Sequence, residues 1–419
     1  MLFATRRFDA ARIYLLFVGA DGLIRSLMFT FLSVYFVTRV GMDPLQLVLV
    51  GTVVEGTILV FEVPTGVLAD LYSRRLSIVV GQALFGLAYI VQGLVPVFVP
   101  IIIAEAVRGV GETFLSGAVQ AWVADEVGTA RVAALFLRGV QVRRSAWLVG
   151  IALSIGLTNI DLRLPIVAGG ILSLLLAGSL LLCMPERGFK PQPRPGGSAF
   201  FATARAGLKE VRGQPILLLL LGLAGVLGAA SEGFDRLWEA HLLLNFSLPA
   251  IGSLNPVTWF GLIDAGALVI GVGAVQVVRR LSTQSNQVVA RAILVAQALR
   301  VVSIIVLGLT GEFSIAILAR WSAAGLGSIT QPLLDAWLVR NTPSAIRATV
   351  FSVVSQGDAL GQVLGGPGIG AIGSWVSLRA AMLASAVLLL PGLVLLRLAG
   401  GQPPPAQPVP RVAEVADVA

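Results

Sequence analysis

Two acid–base pairs stand at four-residue spacing inside long apolar stretches of the chain: Asp21 with Arg25, and Glu232 with Arg236, with Asp235 beside the second. On a helix that spacing lets acid and base touch across one turn, and a paired carboxylate resists taking up a proton. The pairs therefore suit orienting a substrate or exchanging partners between two conformations; tying helices together is an equally simple use. Glu55, Glu62 and Glu112 are of another kind. Neither Glu55 nor Glu62 has a base within a turn on its own helix, and an unpaired charge away from water is costly, which favours the neutral acid. Glu55, in mid-stretch, is the first candidate for a proton-coupling group, whereas Glu112 has Arg108 four residues before it as a partner. Arg138, Arg143 and Arg144, with Gln356, Asp358 and Asp264 further along, offer either a polar network across an interface or an anion site.

Other chemistries lack their residues. The one cysteine, Cys183, excludes an internal disulfide and a cysteine-based metal cluster. The one histidine, His241, falls near the outer end of its apolar stretch, where a plain interfacial residue is expected rather than a proton relay. Lys190 and Lys209 are the only lysines, and neither sits in a phosphate-binding loop. No nucleophile–histidine constellation is present. Neither an enzyme, a metal nor a cofactor is expected, and uphill movement of a solute would have to draw on an ion gradient.

The elements that position these charges follow from composition. Hydrophobic residues make up 56% of the 419 residues and charged ones 12%, about half the charged share of a soluble domain. At about 20 residues per membrane span, the pattern gives twelve helices, centred near residues 25, 57, 87, 111, 145, 174, 228, 268, 299, 326, 358 and 387. Spans six and twelve carry no ionisable residue between Ile166 and Leu182 or between Ala380 and Leu396 and should face lipid. Spans one, two, four, five, seven, eight, ten and eleven carry nearly all the buried charges, which cost at least about 2.5 kcal/mol each in hydrocarbon unless paired or wetted; these eight should line an interior.

Of the 30 Lys and Arg, only Arg39, Arg163 and Arg379 fall on one side of the expected membrane, while most of the rest fall on the other, which should be cytoplasmic. Both termini are thus expected inside a multi-pass cell membrane protein, and the net charge of +8 reflects that bias and the anionic lipid surface. The basic residues are dispersed, with no aromatic platform, which argues against nucleic acid. Ile13 to Val37 is too long for a signal peptide and contains Asp21 and Arg25, so it reads as an uncleaved first span. Ser198 to Arg212 has the pattern of a helix lying on the cytoplasmic surface.

The chain also repeats itself. Asp21, Gly22 and Arg25 return 211 residues later as Glu232, Gly233 and Arg236; Trp122, Phe136, Gln141, Arg143 and Gly150 correspond to Trp337, Phe351, Gln356, Asp358 and Gly365 at an offset of 215. Two similar helical bundles holding a polar site between them describe a membrane carrier.

At the inner end of span two, Gly66-Val67-Leu68-Ala69-Asp70-Leu71-Tyr72-Ser73-Arg74-Arg75 resembles the loop motif of the major facilitator superfamily, Gly-x-Leu-Ala-Asp-x-x-Gly-Arg-Arg, with Ser73 replacing the second glycine. The resemblance implies an all-α fold of twelve transmembrane helices in two pseudo-symmetric six-helix bundles. Residues 1–184 would form the first bundle, 185–213 a linker with the surface helix, 214–397 the second bundle and 398–419 a disordered tail. It further implies a working monomer that opens alternately to each side, with Asp70, Arg74 and Arg75 gating the cytoplasmic side. Asp70 is expected to dock near Thr342-Pro343, at the start of span eleven, and so to hold the outward-open state. The second-half loop keeps Gln276, Arg279 and Arg280 without the acid, so the latch should be one-sided. On span four Glu105 stands where drug–proton antiporters carry arginine, and Gly365-Gly366-Pro367 is displaced from where such proteins carry it; close packing accounts for its small residues.

Because acids outnumber bases within the spans, the expected activity is proton-coupled export of amphipathic or drug-like compounds. The proposed pathway comprises Asp21, Arg25, Glu55, Glu62, Glu112, Arg143, Arg144, Glu232, Asp235, Arg236, Gln356 and Asp358. Uptake or exchange of an organic anion through the span-five arginines is the alternative within transport, and a non-transporting membrane sensor the alternative outside it.

Overall fold

The computed structural model describes residues 9–190, 213–279, 285–342 and 347–402. The expected surface helix at 198–212, Arg280, Pro343 and the tail beyond 402 lie outside the described residues. Twelve helical passes run through the described residues: α1 (Ala10–Phe29, continued by Leu32–Tyr35 and a π-helical turn, Phe36–Val40), α2 (Pro44–Leu71), α3 (Arg74–Leu94), α4 (Phe98–Leu115 and Ala118–Val127), α5 (Thr129–Thr158), α6 (Leu164–Cys183), α7 (Pro215–Asn245), α8 (Thr258–Val278), α9 (Asn286–Leu309), α10 (Phe313–Asn341), α11 (Arg347–Trp375) and α12 (Leu378–Leu388 and Leu390–Gly400). Their order and centres follow the apolar pattern of the sequence. Nine are, by length and composition, apolar enough to cross a bilayer. The other three are α4, broken where Gly117 adopts φ +71°, α5 with its arginines, and α11 with Asp358 and its glycines. These three depart from simple spans because they carry interior charges or closely packed crossings.

Local chemistry sets several ends. Asp43 caps α2 in a reciprocal capping box with Gln46, with Pro44 at the first helical position. Ser73, the residue that departs from the glycine of the loop motif, accepts a hydrogen bond from the Leu76 amide and caps α3; its hydroxyl donates to Glu186. Gly41, at φ +75°, ends α1 in a left-handed conformation that glycine adopts without strain.

Each half packs the same way. Within the first, α1 lies on α5, α2 on α4, and α3 on both α4 and α6; within the second, α7 lies on α11, α8 on α10, and α9 on both α10 and α12. Each of these pairings recurs six helices later, the three-dimensional counterpart of the sequence repeat. The repeated glycines explain part of it: a side chain at Gly150 would strike Leu23 and Ser26 of α1, and one at Gly365 would strike Ala229 of α7. The repeated tryptophans, Trp122 and Trp337, are both buried. α6 turns Leu172, Leu175 and Leu182 outward, in keeping with a lipid-facing span.

The halves meet through α2 with α11 and α5 with α8, which are equivalent pairs under the repeat. We define the terminal face as the one bearing the starts of the odd-numbered helices, and the far face as its opposite. Substituting Gly365 by Ala should lower the apparent unfolding temperature of detergent-purified protein, because overpacking a closed site costs about 1–3 kcal/mol. Gly156→Ala, where nothing lies within 4 Å, should be neutral or stabilising in the same thermal assay.

Candidate functional site

At the far face the halves are sealed. The Leu45 amide of α2 donates to Ser374 Oγ of α11 at 2.9 Å, and the Ser374 hydroxyl donates to Asp43 at 2.9 Å. On the same crossing Gly366, Gly370 and Gly373 leave room for Val48, Leu45 and Pro44. At the equivalent crossing Asn159, at the end of α5, accepts from the Asn255 amide at 2.7 Å, and Gly261 of α8 receives Ile155. Near mid-membrane Gly51 of α2 packs directly on the Glu232 and Arg236 side chains, which pair at 3.0 Å.

Beyond that contact, toward the terminal face, the halves part around a cavity of about 1010 Å³. Glu55, Ile58 and Glu62 of α2 and Gln120 of α4 line one wall; Leu220 and Leu227 of α7, Gln331 and Asp335 of α10, and Phe351, Ser355, Gln356 and Asp358 of α11 line the other. Among the described residues, four carboxylates and no basic side chain border this volume. Glu62 accepts from Ser116 at 2.9 Å, and Asp358 accepts from Gln362 at 2.8 Å.

A side branch of about 390 Å³ shares Ile58, Glu62, Ser116 and Gln120 and reaches the first-half charges. There Asp21, 2% exposed, binds Arg25 at 2.8 Å; Arg25 also binds Glu112 at 2.9 Å, and Arg143 approaches Asp21 at 3.6 Å. The result is an alternating chain, Arg143–Asp21–Arg25–Glu112, over α5, α1 and α4. The expected i,i+4 pairs both form. Glu112, however, pairs with Arg25 and not with Arg108, which turns to fully buried Glu105 at 2.6 Å and lies near the Phe29 and Phe85 rings.

Other expectations are corrected. Arg143 finds its acid on α1 rather than at Asp358 or Asp264, because α5 packs on α1 within its own half. Arg144 is exposed and outside both cavities, and Arg138 borders a groove at the terminal face. His241 is fully buried, bonded to the Leu307 carbonyl at 3.1 Å and set edge-on to Phe246, so it is a core residue and not an interfacial one. Span nine, left out of the expected interior set, contributes Arg300 over the Phe234 ring. Glu239 and Arg320 are marked in the sequence only by their position within apolar stretches, a signal they share with many other charges.

Asp70 is on the terminal face and pairs with Arg74 at 3.3 Å; Arg74 also binds Asp125 of α4. Arg75 donates to the Leu181 carbonyl, and its amide to Glu186 at 2.9 Å. In this conformation the motif ties α2, α3, α4 and the end of α6 together inside the first half.

A model of the Major Facilitator Superfamily matches residues 14–296. The chain is 22% identical over 387 residues to an uncharacterized MFS-type transporter, YxaM, of Bacillus subtilis (strain 168), covering 91% of this chain and 94% of that protein. Its fold is similar to the crystal structure of the nucleoside transporter NupG (TM-score 0.77, 12% identity, 94% of this chain and 100% of that one). It is also similar to a bacterial homologue of the human lysosomal transporter Spinster in an inward-facing, unoccupied conformation (TM-score 0.73, 15% identity, 93% and 96% of the two chains).

Arg25 neutralises buried Asp21 and the partly exposed Glu112. Arg25→Ala should therefore destabilise the protein by about 3–5 kcal/mol, the range for breaking a buried pair, with partial recovery when Glu112→Gln is added; thermal unfolding of both variants checks this.

Proposed function

Because the chain belongs to the major facilitator superfamily and is thus a multi-pass membrane transporter acting by secondary transport, we propose that it exports small cationic amphipathic compounds in exchange for protons. The observation that carries this reading is the charge of the cavity: Glu55, Glu62, Asp335 and Asp358 border it with no base among its described lining residues, between apolar surfaces from Ile58, Leu220, Leu227 and Phe351. Carboxylates in a low-dielectric wall attract and orient a cation, while the apolar lining takes up its hydrocarbon portion. Placing the terminal face in the cytoplasm, as the arginine bias suggests, makes this conformation inward-open. A monomer suffices, since both walls come from one chain. Asp21, Arg25, Glu112 and Arg143 would orient the solute in the side branch, and Glu232 and Arg236, under Gly51, would part or close as the halves rock.

An organic anion, as carried by a structurally similar human organic anion transporter (TM-score 0.58), fits less well. Of the arginines reserved for it, Arg143 faces Asp21 and Arg144 lies outside the cavity. In the opposite conformation Asp70 would leave Arg74 and dock on the start of α11, closing the terminal face.

Two measurements test the proposal. In proteoliposomes with an imposed pH gradient, a fluorescent lipophilic cation should accumulate and show counterflow. Glu55→Gln or Asp358→Asn should weaken its binding about tenfold to a hundredfold, as loss of a charged contact worth about 1.5–3 kcal/mol requires; preferential movement of organic anions would overturn the assignment. For the gate, spin labels across the terminal face should report that Asp70→Asn depletes the state closed on that side, and unchanged distances would reduce Asp70 to a topology charge.

A further inference from the structure

A second, smaller chamber of about 210 Å³ lies at the far-face side of the interface, walled by α1, α2, α7 and α8 and separate from the solute cavity. Phe29, Ser33, Leu47 and Val50 of the first half close over Glu239 and Asp264 of the second. Glu239 is 7% exposed, and its Oε2 has no hydrogen-bond partner, although Ser33 and Val34 approach the carboxylate. Neither α1 nor α2 brings an ionisable residue to this wall.

The charged groups around the chamber do not balance. On α7, Arg236 is paired with Glu232, and Asp235 opposes Arg300 of α9. That leaves Glu239 and Asp264 to share Arg320 of α10. Arg320 lies over the Trp238 ring at 4.3 Å and reaches Phe234 at 5.7 Å, its Nε is unbonded, and no ion pair among the described residues includes it. Beside the Glu232–Arg236 pair, Glu239 and Asp264 therefore face one guanidinium; Glu239 is buried, and there a second uncompensated negative charge is costly. Adjacent carboxyls resolve such a conflict by holding one proton between them.

We propose that Glu239 and Asp264 form a proton-binding site that is occupied by one proton while the far face is closed. A hydronium gives up the proton, an O–H bond forms on one carboxyl, and water leaves; nothing is oxidised or reduced. When α1 and α2 draw away from α7 and α8, water reaches both carboxyls and solvates the second charge, so in that open conformation the proton exchanges with the far side. Protonation thus favours closure of the far face, and raising the pH favours its opening. The use of this proton to drive a solute rests on the transport reading above; its binding does not.

The test uses purified full-length protein without solute. Infrared difference spectra between acid and alkaline pH should contain, besides the bands of the other titrating carboxyls, one C=O stretch that depends on this pair. That band should be lost in Glu239→Gln and in Asp264→Asn, and kept in Glu239→Asp and in Glu55→Gln. Spin labels on α2 and α11 should report a far-face-open population that rises with pH by up to about tenfold per unit, the limit for one linked proton, and this dependence should vanish in Glu239→Gln. A band that survives both substitutions, or that disappears in Glu55→Gln, overturns the proposal. If the band behaves as expected while no solute moves down a pH gradient, the site stands and only the transport reading fails.

Discussion

Everything in this molecule is arranged around the cost of placing a charge where water is scarce. A carboxylate or guanidinium in hydrocarbon must meet an opposite charge or open onto a cavity, and most interior groups do one or the other. Asp21, Arg25, Glu112 and Arg143 satisfy one another in series; Glu105 and Arg108 satisfy each other; Glu55 and Asp358 face the large cavity. Helix packing serves this arrangement. The glycines at the α1–α5 and α7–α11 crossings let backbones approach closely, and at the α1–α5 crossing this brings Arg143 to Asp21.

The two halves share an architecture but differ in charge, and the difference assigns them separate work. Arg143 in the first half corresponds to Asp358 in the second, so the first half closes its chain of charges while the second leaves an acid facing the cavity. The second half instead gathers Arg300 and Arg320 over aromatic rings beside Glu239 and Asp264. The far-face seal runs along α2 and α11, directly above the Gly51 contact with Glu232 and Arg236. Separation of the halves there would disturb the seal, the mid-membrane pair and the far-face chamber together, which gives rocking a route to couple what lies on either side.

Much of the fold was legible in the chain because hydrocarbon imposes length and polarity on each helix. The twelve passes, the repeat and the Asp70 to Arg75 loop are local patterns. Partner choice was less legible. Glu112 had a plausible partner in Arg108 one turn away, yet it took Arg25 from another helix, because Arg108 was already held by Glu105 and α1 presents Arg25 at the right depth. The place of His241 near a helix end gives an interfacial residue, but α9 supplies the Leu307 carbonyl and the side chain is buried.

The sequence by itself determined that this is a duplicated, membrane-spanning bundle with ionisable groups turned inward, because spacing along a helix and exclusion from lipid act on residues near one another in the chain. The tertiary structure alone decided which acid meets which base, which face is closed, and that Glu239 and Asp264 share one chamber while Glu55 and Asp358 share another. Such pairings depend on helix rotation and depth. Those are set by packing among segments hundreds of residues apart, which no local pattern encodes.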